Sequence, residues 1–134
     1  MTITEIDYGD FKINVQIENL ESRELKDAAS KIGMETSRRE RMFTNKIISK
    51  EAFRAYEKEA SFKLSKLYAT YIIFGWTGKF KGDDLGKYDI EKAAKLLSEP
   101  MNLPLLLDII EVVKAVVEKE AEKENEIDGE EIKN

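Results

Sequence analysis

"YIIFGWTGKFKGDDLGKYDIEKAAKLLSEP", residues 71–100, holds the only tryptophan, four of the seven glycines and one of the two prolines. An apolar run reaches Gly-Trp-Thr-Gly, a polar stretch spaced by glycines follows, and the segment closes on a short amphipathic pattern. Read as punctuation, Gly75 and Gly78 stop a helix, and Phe74 and Trp76 are structural anchors packed beside the turn. Asp83 and Asp84 then solvate a hairpin-like excursion. Asp89 N-caps the next helix, with Tyr88 at the staple position before it. That helix, "IEKAAKLLSE", turns Ile90, Ala93, Ala94 and Leu97 to the core, and Pro100 ends it.

Upstream, Phe53, Tyr56, Ala60, Leu64, Leu67, Tyr71 and Phe74 recur in steps of three and four. The spacing predicts one amphipathic helix over residues 50–74, capped by Ser49, about 37 Å long and the spine of the fold. Before it, Leu25, Ala28, Ala29 and Ile32 suit a helix from Glu21 that stops at Gly33, and "METSRRERMFTNKIIS" is left unassigned. Phe11, Ile13, Val15 and Ile17 alternate with polar residues, the period of a half-exposed strand. Its partner must come from residues 3–6, from residues 79–81 or from another subunit.

Downstream, Asn102 is placed to cap the last helix and Pro104 falls in its first turn. This helix carries two apolar stripes: Leu103, Leu106, Ile110, Val113 and Val117, and Leu105, Ile109, Val112 and Val116. Either both pack inside the monomer, or the second is a surface for self-association or a partner. The fold class expected is mainly α (α+β). It comprises a small domain over residues 1–120 with an amino-terminal strand or hairpin, a long central helix and two carboxy-terminal helices. An acidic, structureless tail follows over residues 121–134.

The chain has 134 residues, a net charge of −5, no cysteine and no histidine. Disulfides, thiolate or imidazole zinc sites and histidine-activated nucleophiles are thereby excluded. The start, "MTITEIDYGDFK", lacks a basic, apolar leader, and no apolar run is long enough to span a bilayer, so a soluble cytoplasmic protein is expected.

Gly75-Trp-Thr-Gly78 formally fits a nucleic-acid-binding GXXG loop, but a tryptophan between the glycines keeps the backbone from phosphate. "GKFKG" lacks the ending of a phosphate loop. An EF-hand begun at Asp83 would put Leu85 and Lys87 at ligand positions. Glu57 and Glu59 do not share a helix face, so nothing sets up two acids of divided role. The expectation is a non-enzyme without metal or cofactor. Arg38, Arg39, Arg41, Lys46, Lys50 and Arg54 cluster in a basic segment that could touch nucleic acid or pair with the acidic tail of the same or a neighbouring chain.

The sequence offers one further clue. "YIIFGWTG", "KFKGDDLGKYDIEKAAKLLSEP" and "NLPLLLDIIEVVKAV" follow in an order that resembles the tail assembly chaperones of long-tailed bacteriophages. Where many members have a proline before the Leu-Leu helix, Asp89 takes the helix-starting role here. The resemblance implies a non-catalytic, oligomeric factor that coats the tape measure protein and keeps it soluble. It further implies delivery of that client to the tail tube protein, and absence from the finished virion. It also implies room for a frameshifted, longer form beyond "ENEIDGEEIKN". Leu105, Ile109, Val112 and Val116 are the residues expected to carry self-association or client contact. The alternatives are a small DNA-binding regulator acting through residues 38–54, and a structural virion component.

Overall fold

The alternating segment becomes an inner strand of an antiparallel sheet. In a computed structural model describing residues 3–133, with side chains to residue 123, strands β1 (Ile3–Asp7), β2 (Phe11–Gln16), β3 (Ile73–Phe80) and β4 (Asp83–Asp84) lie in that order. Of the two intramolecular candidates to pair β2, the amino-terminal one is found: residues 3–7 pair along one edge. Along the other edge the partner is residues 73–78 of β3 and not residues 79–81, since Lys79 and Phe80 pair with β4. The fold is mainly α (α+β), with helices α1 (Arg23–Thr44), α2 (Lys50–Leu67), α3 (Ile90–Ser98) and α4 (Leu103–Lys133).

The opening segment is where expectation and structure part. The long helix ends at Leu67, a π-helical turn spans Tyr68–Ile72, and the chain passes straight into β3. Gly75 and Gly78 therefore lie within a strand and stop no helix. The reason is local. Ile73 and Thr77 are β-branched, and Phe74, Trp76 and Phe80 are aromatic, so the run from Ile73 prefers extended backbone once a neighbouring strand is available. Phe74 keeps a helical spacing by coincidence, which a short apolar run cannot resolve.

A bulge sets which side chains of β3 enter the core. Asn14 faces Gly75 but Val15 faces Ile73, so Phe74 is the extra residue. The bulge breaks the period of two, and Ile73 and Trp76, three apart, both point inward. Phe74 is turned out, 56% exposed, and is no anchor, whereas Trp76 is only 6% exposed. Trp76 stands opposite Ile13, meets Tyr88 edge-on with ring centroids 5.0 Å apart, and donates its indole N–H to the Gly86 carbonyl at 3.2 Å.

The excursion is a β-hairpin. Phe80 pairs with Asp83, and the two residues between them, Lys81 (φ 51°) and Gly82 (φ 86°), have the left-handed backbone of a tight type I′ turn. Asp84 accepts from the Gly86 N–H at 2.9 Å, and Asp89 caps α3 by accepting from the Glu91 N–H at 3.3 Å.

Helix α3 buries Ala93, Ala94 and Leu97, while Ile90 is exposed, contrary to expectation. With α4 it covers one face of the sheet, and Ile13, Val15, Ile72, Trp76, Leu97, Leu106 and Ile109 share one core. Asn102 does not cap α4 with its side chain. Its amide donates to the Leu96 carbonyl at 2.9 Å, and its oxygen accepts from Lys81 Nζ at 2.8 Å, tying the hairpin turn to the α3–α4 corner.

Helix α1 runs unbroken through Gly33, where a stop is expected from the sequence. Leu25, Ala28, Ile32, Glu35, Thr36, Arg39, Met42 and Phe43 are its half-buried positions, a helical stripe with three polar members that disguise it. No helix-stopping conformation is imposed at Gly33, which costs about 1 kcal/mol relative to alanine in a helix interior. The real stop is Asn45, followed by Lys46 at φ 60°. Ser49 then starts α2, accepting from the Ala52 N–H at 3.1 Å.

Helix α2 packs against α1 on one side and α3 on the other. It meets α3 through small residues: Ser65, Ala93 and Ala94 are buried, which permits close approach, and Lys66 pairs with Glu91 at 2.8 Å. The Ser65 hydroxyl has no hydrogen-bond partner among the described residues. Ser65→Ala should therefore raise stability, by about 1 kcal/mol in urea denaturation, since it removes a desolvated hydroxyl and improves helix propensity. A loss of stability would show that the hydroxyl is bonded.

A candidate helix-binding groove

Helices α1 and α2 form an antiparallel pair whose close contacts gather near their connecting turn. Phe43 and Phe53 stack with centroids 4.9 Å apart, and the Thr36 and Tyr56 hydroxyls lie 3.1 Å apart. Arg39 is held over the Tyr56 ring, 5.2 Å from its centroid, and donates to Glu35 at 2.9 Å. Away from the turn the pair encloses an open groove of about 890 Å³. Ala28 and Ile32 from α1, Tyr56, Ala60 and Leu67 from α2, and Tyr71 from the π turn supply its apolar wall. No residue of α1 is buried, and α1 reaches the rest of the fold chiefly through α2 and the turn Glu18–Glu21. A 22-residue helix with so little of its apolar stripe covered presents surface suited to another helix.

The groove is rimmed by Lys31, Arg38, Arg41, Lys63 and Lys66, with Glu35 the one carboxylate in its lining. That carboxylate is bound by Arg39 and by Arg38 at 3.1 Å, and the Arg39 hydrogen bond chiefly holds its pKa below the usual range. Lys63 pairs with Glu59 at 3.1 Å along α2. The groove thus combines an apolar floor with a positive rim.

The other expected positions are dispersed. Ile109 is 0% exposed and belongs to the core, so it is no surface contact in the folded chain. Leu105 and Val112 are half-buried against that core, and Val116 is half-buried. The two stripes of α4 merge into one wide buried face centred on Leu106, Ile109 and Val113, because the helix lies against both α3 and the sheet side of the core. Among the described residues, the large apolar side chains that α4 does expose are Leu103, Leu107 and Val117. Of the basic segment, Arg38 and Arg41 line the groove, Arg39 is spent on Glu35 and Tyr56, Lys46 sits in the turn, and Lys50 and Arg54 lie early in α2.

The titratable groups pushed furthest upward are two tyrosines. Burial, then the hydrogen bond to Asp108 at 2.6 Å, raises Tyr8; burial, then the charge of Asp89, raises Tyr88. Both act as donors that hold elements together. Tyr8 ties the β1–β2 turn to α4, and Tyr88 donates to the Ala69 carbonyl at the π turn. Among the described residues no group of three or more acidic side chains is placed to hold a metal ion, and no helix is long and apolar enough to cross a membrane.

Sequence reasoning missed the groove because its α1 wall straddles Gly33. The signal lay in Ile32 and the residues after it, Glu35, Thr36, Arg39, Met42 and Phe43, which continue the stripe begun by Leu25. Compared with protein-family models, with curated proteins and with solved structures, the chain finds no match in any of the three.

Proposed function

We propose that this protein is a non-catalytic assembly chaperone of the phage-tail kind, which keeps the tape measure protein soluble and brings it to the tail tube protein. The single observation that carries the reading is the α1–α2 groove, an apolar, helix-sized surface left uncovered by the chain's own core. The sequence resemblance supplies the client; the groove supplies a means of holding it. A tape measure protein is long and helical, and helix-in-groove capture buries its apolar stripe without requiring chemistry. In this reading the protein works in the host cytoplasm as a homo-oligomer and leaves before the virion is complete.

Coexpression of the full chain with tape measure fragments is the test. A soluble complex is expected, and Ile32→Asp or Leu67→Asp should weaken it about tenfold or more while helicity by circular dichroism is retained. A client that stays insoluble beside the wild-type chain would overturn the reading, as would binding unaffected by both substitutions. A salt-sensitive shift of labelled duplex DNA, lost on charge reversal at Arg38 and Arg41, would favour the regulator instead.

A further inference from the structure

The charge of this chain is divided unevenly. Residues 118–134 contain eight carboxylates and three lysines, so they carry the whole net charge of −5 and the first 117 residues are neutral. The groove is the complementary surface: of the five cations on its rim, Arg38, Lys63 and Lys66 pair with Glu35, Glu59 and Glu91, and Lys31 and Arg41 have no carboxylate partner among the described residues. We infer that the α1–α2 groove receives the acidic end of α4 from a second copy of this chain.

Dimensions and connectivity agree with that occupant. Helix α4 continues to Lys133, through the stretch expected to be structureless and well past Val113, the last buried residue among the described side chains. Glu118, Lys119, Ala121, Glu122 and Lys123 are exposed. From residue 118 to 133 the helix extends about 24 Å, and the groove wall from Ala28 to Arg41 is about 20 Å long, at 1.5 Å per residue. Both prolines precede or open α4, and its one glycine, Gly129, comes near the end. The segment is therefore a continuous rod rooted in its own core, and it reaches a groove more readily on a neighbouring copy than by folding back. Ala121, Ile127 and Ile132 are the only apolar residues it brings beyond Val117. The grip is mainly electrostatic, and salt should loosen it.

Charge exchange in the full-length protein tests this. Lys31 and Arg41 have no carboxylate partner among the described residues, so reversing them leaves the internal ion pairs intact. Sedimentation should show wild-type self-association at about 0.05 M salt, weakened about tenfold or more near 0.5 M. Lys31→Glu with Arg41→Glu should weaken it similarly, as should Glu122→Lys with Glu126→Lys and Glu130→Lys. Mixing the two reversed proteins should restore association, because one supplies an acidic groove and the other a basic tail. A wild-type protein that is monomeric at low salt would overturn the inference. So would self-association indifferent to both reversals, or reversed proteins that fail to recover on mixing. None of these outcomes depends on client binding, which Ile32→Asp and Leu67→Asp address separately.

Discussion

Replacing Gly78 with alanine should cost about 3 kcal/mol or more, enough to threaten folding in a domain of this size. Gly78 sits in β3 opposite Phe11 at φ +95°, where an L side chain is strained. A methyl group there would lie 2.1 Å from the Asp10 carbonyl oxygen, a backbone atom that cannot swing aside. The same oxygen accepts from the Lys79 N–H at 2.8 Å, so moving it breaks a bond at the junction of β2 and β3. Gly75, three residues earlier, is the control. Nothing lies within 4 Å of a Cβ built there, and its φ is not in the left-handed region. Gly75→Ala should be neutral or stabilising by about 0.5 kcal/mol, since alanine loses less backbone freedom on folding. Urea melts of the two variants decide the matter. Equal stabilities would mean that Gly78 is not held against Asp10.

The second large effect separates two aromatic neighbours. Trp76→Ala should cost about 3–5 kcal/mol, the range for truncating a buried large aromatic residue. The loss combines contacts with Phe11 and Tyr88, the pairing across to Ile13, and an indole hydrogen bond to the carbonyl of Gly86. Phe74→Ala should change stability by about 0.5 kcal/mol or less, because the bulge already turns that ring to solvent. Denaturation followed by far-ultraviolet circular dichroism reads both, since it does not depend on the tryptophan. Comparable losses at the two positions would show that the Phe74 ring is covered, and the bulge would then be misplaced.

Much of the architecture was legible where one period dominated a segment. The alternation from Phe11 marked β2, Asp89 marked the start of α3, and the glycine-spaced stretch after Phe80 marked a hairpin. Each is a local decision, made by a side chain capping its own helix, a turn needing positive φ, or a strand showing one face to the core. The failures lie where local preference is nearly balanced. The run from Tyr68 to Phe80 suits a helix by spacing and a strand by residue type, and pairing with β2 decides between them. Helix α1 passes Gly33 because its stripe continues against α2, a partner invisible to a scan that stops at glycine.

The groove was half legible. Its cations stood out as a basic segment, but an apolar wall built from two helices becomes visible only when they are brought side by side. The two-striped α4 left two readings open, a packed face or a free one at Leu105, Ile109, Val112 and Val116. The fold buries Ile109 in the core and half-buries the other three. The sequence by itself determined the mainly α (α+β) class, the alternation of β2, the capped α3 and the confinement of net charge to the carboxy terminus. Only the tertiary structure decided which glycine is indispensable, which aromatic residue is an anchor and which helix face stays open. Those depend on what lies opposite a residue across the sheet or the helix pair, and non-local contacts of that kind leave no periodic trace in the chain that makes them.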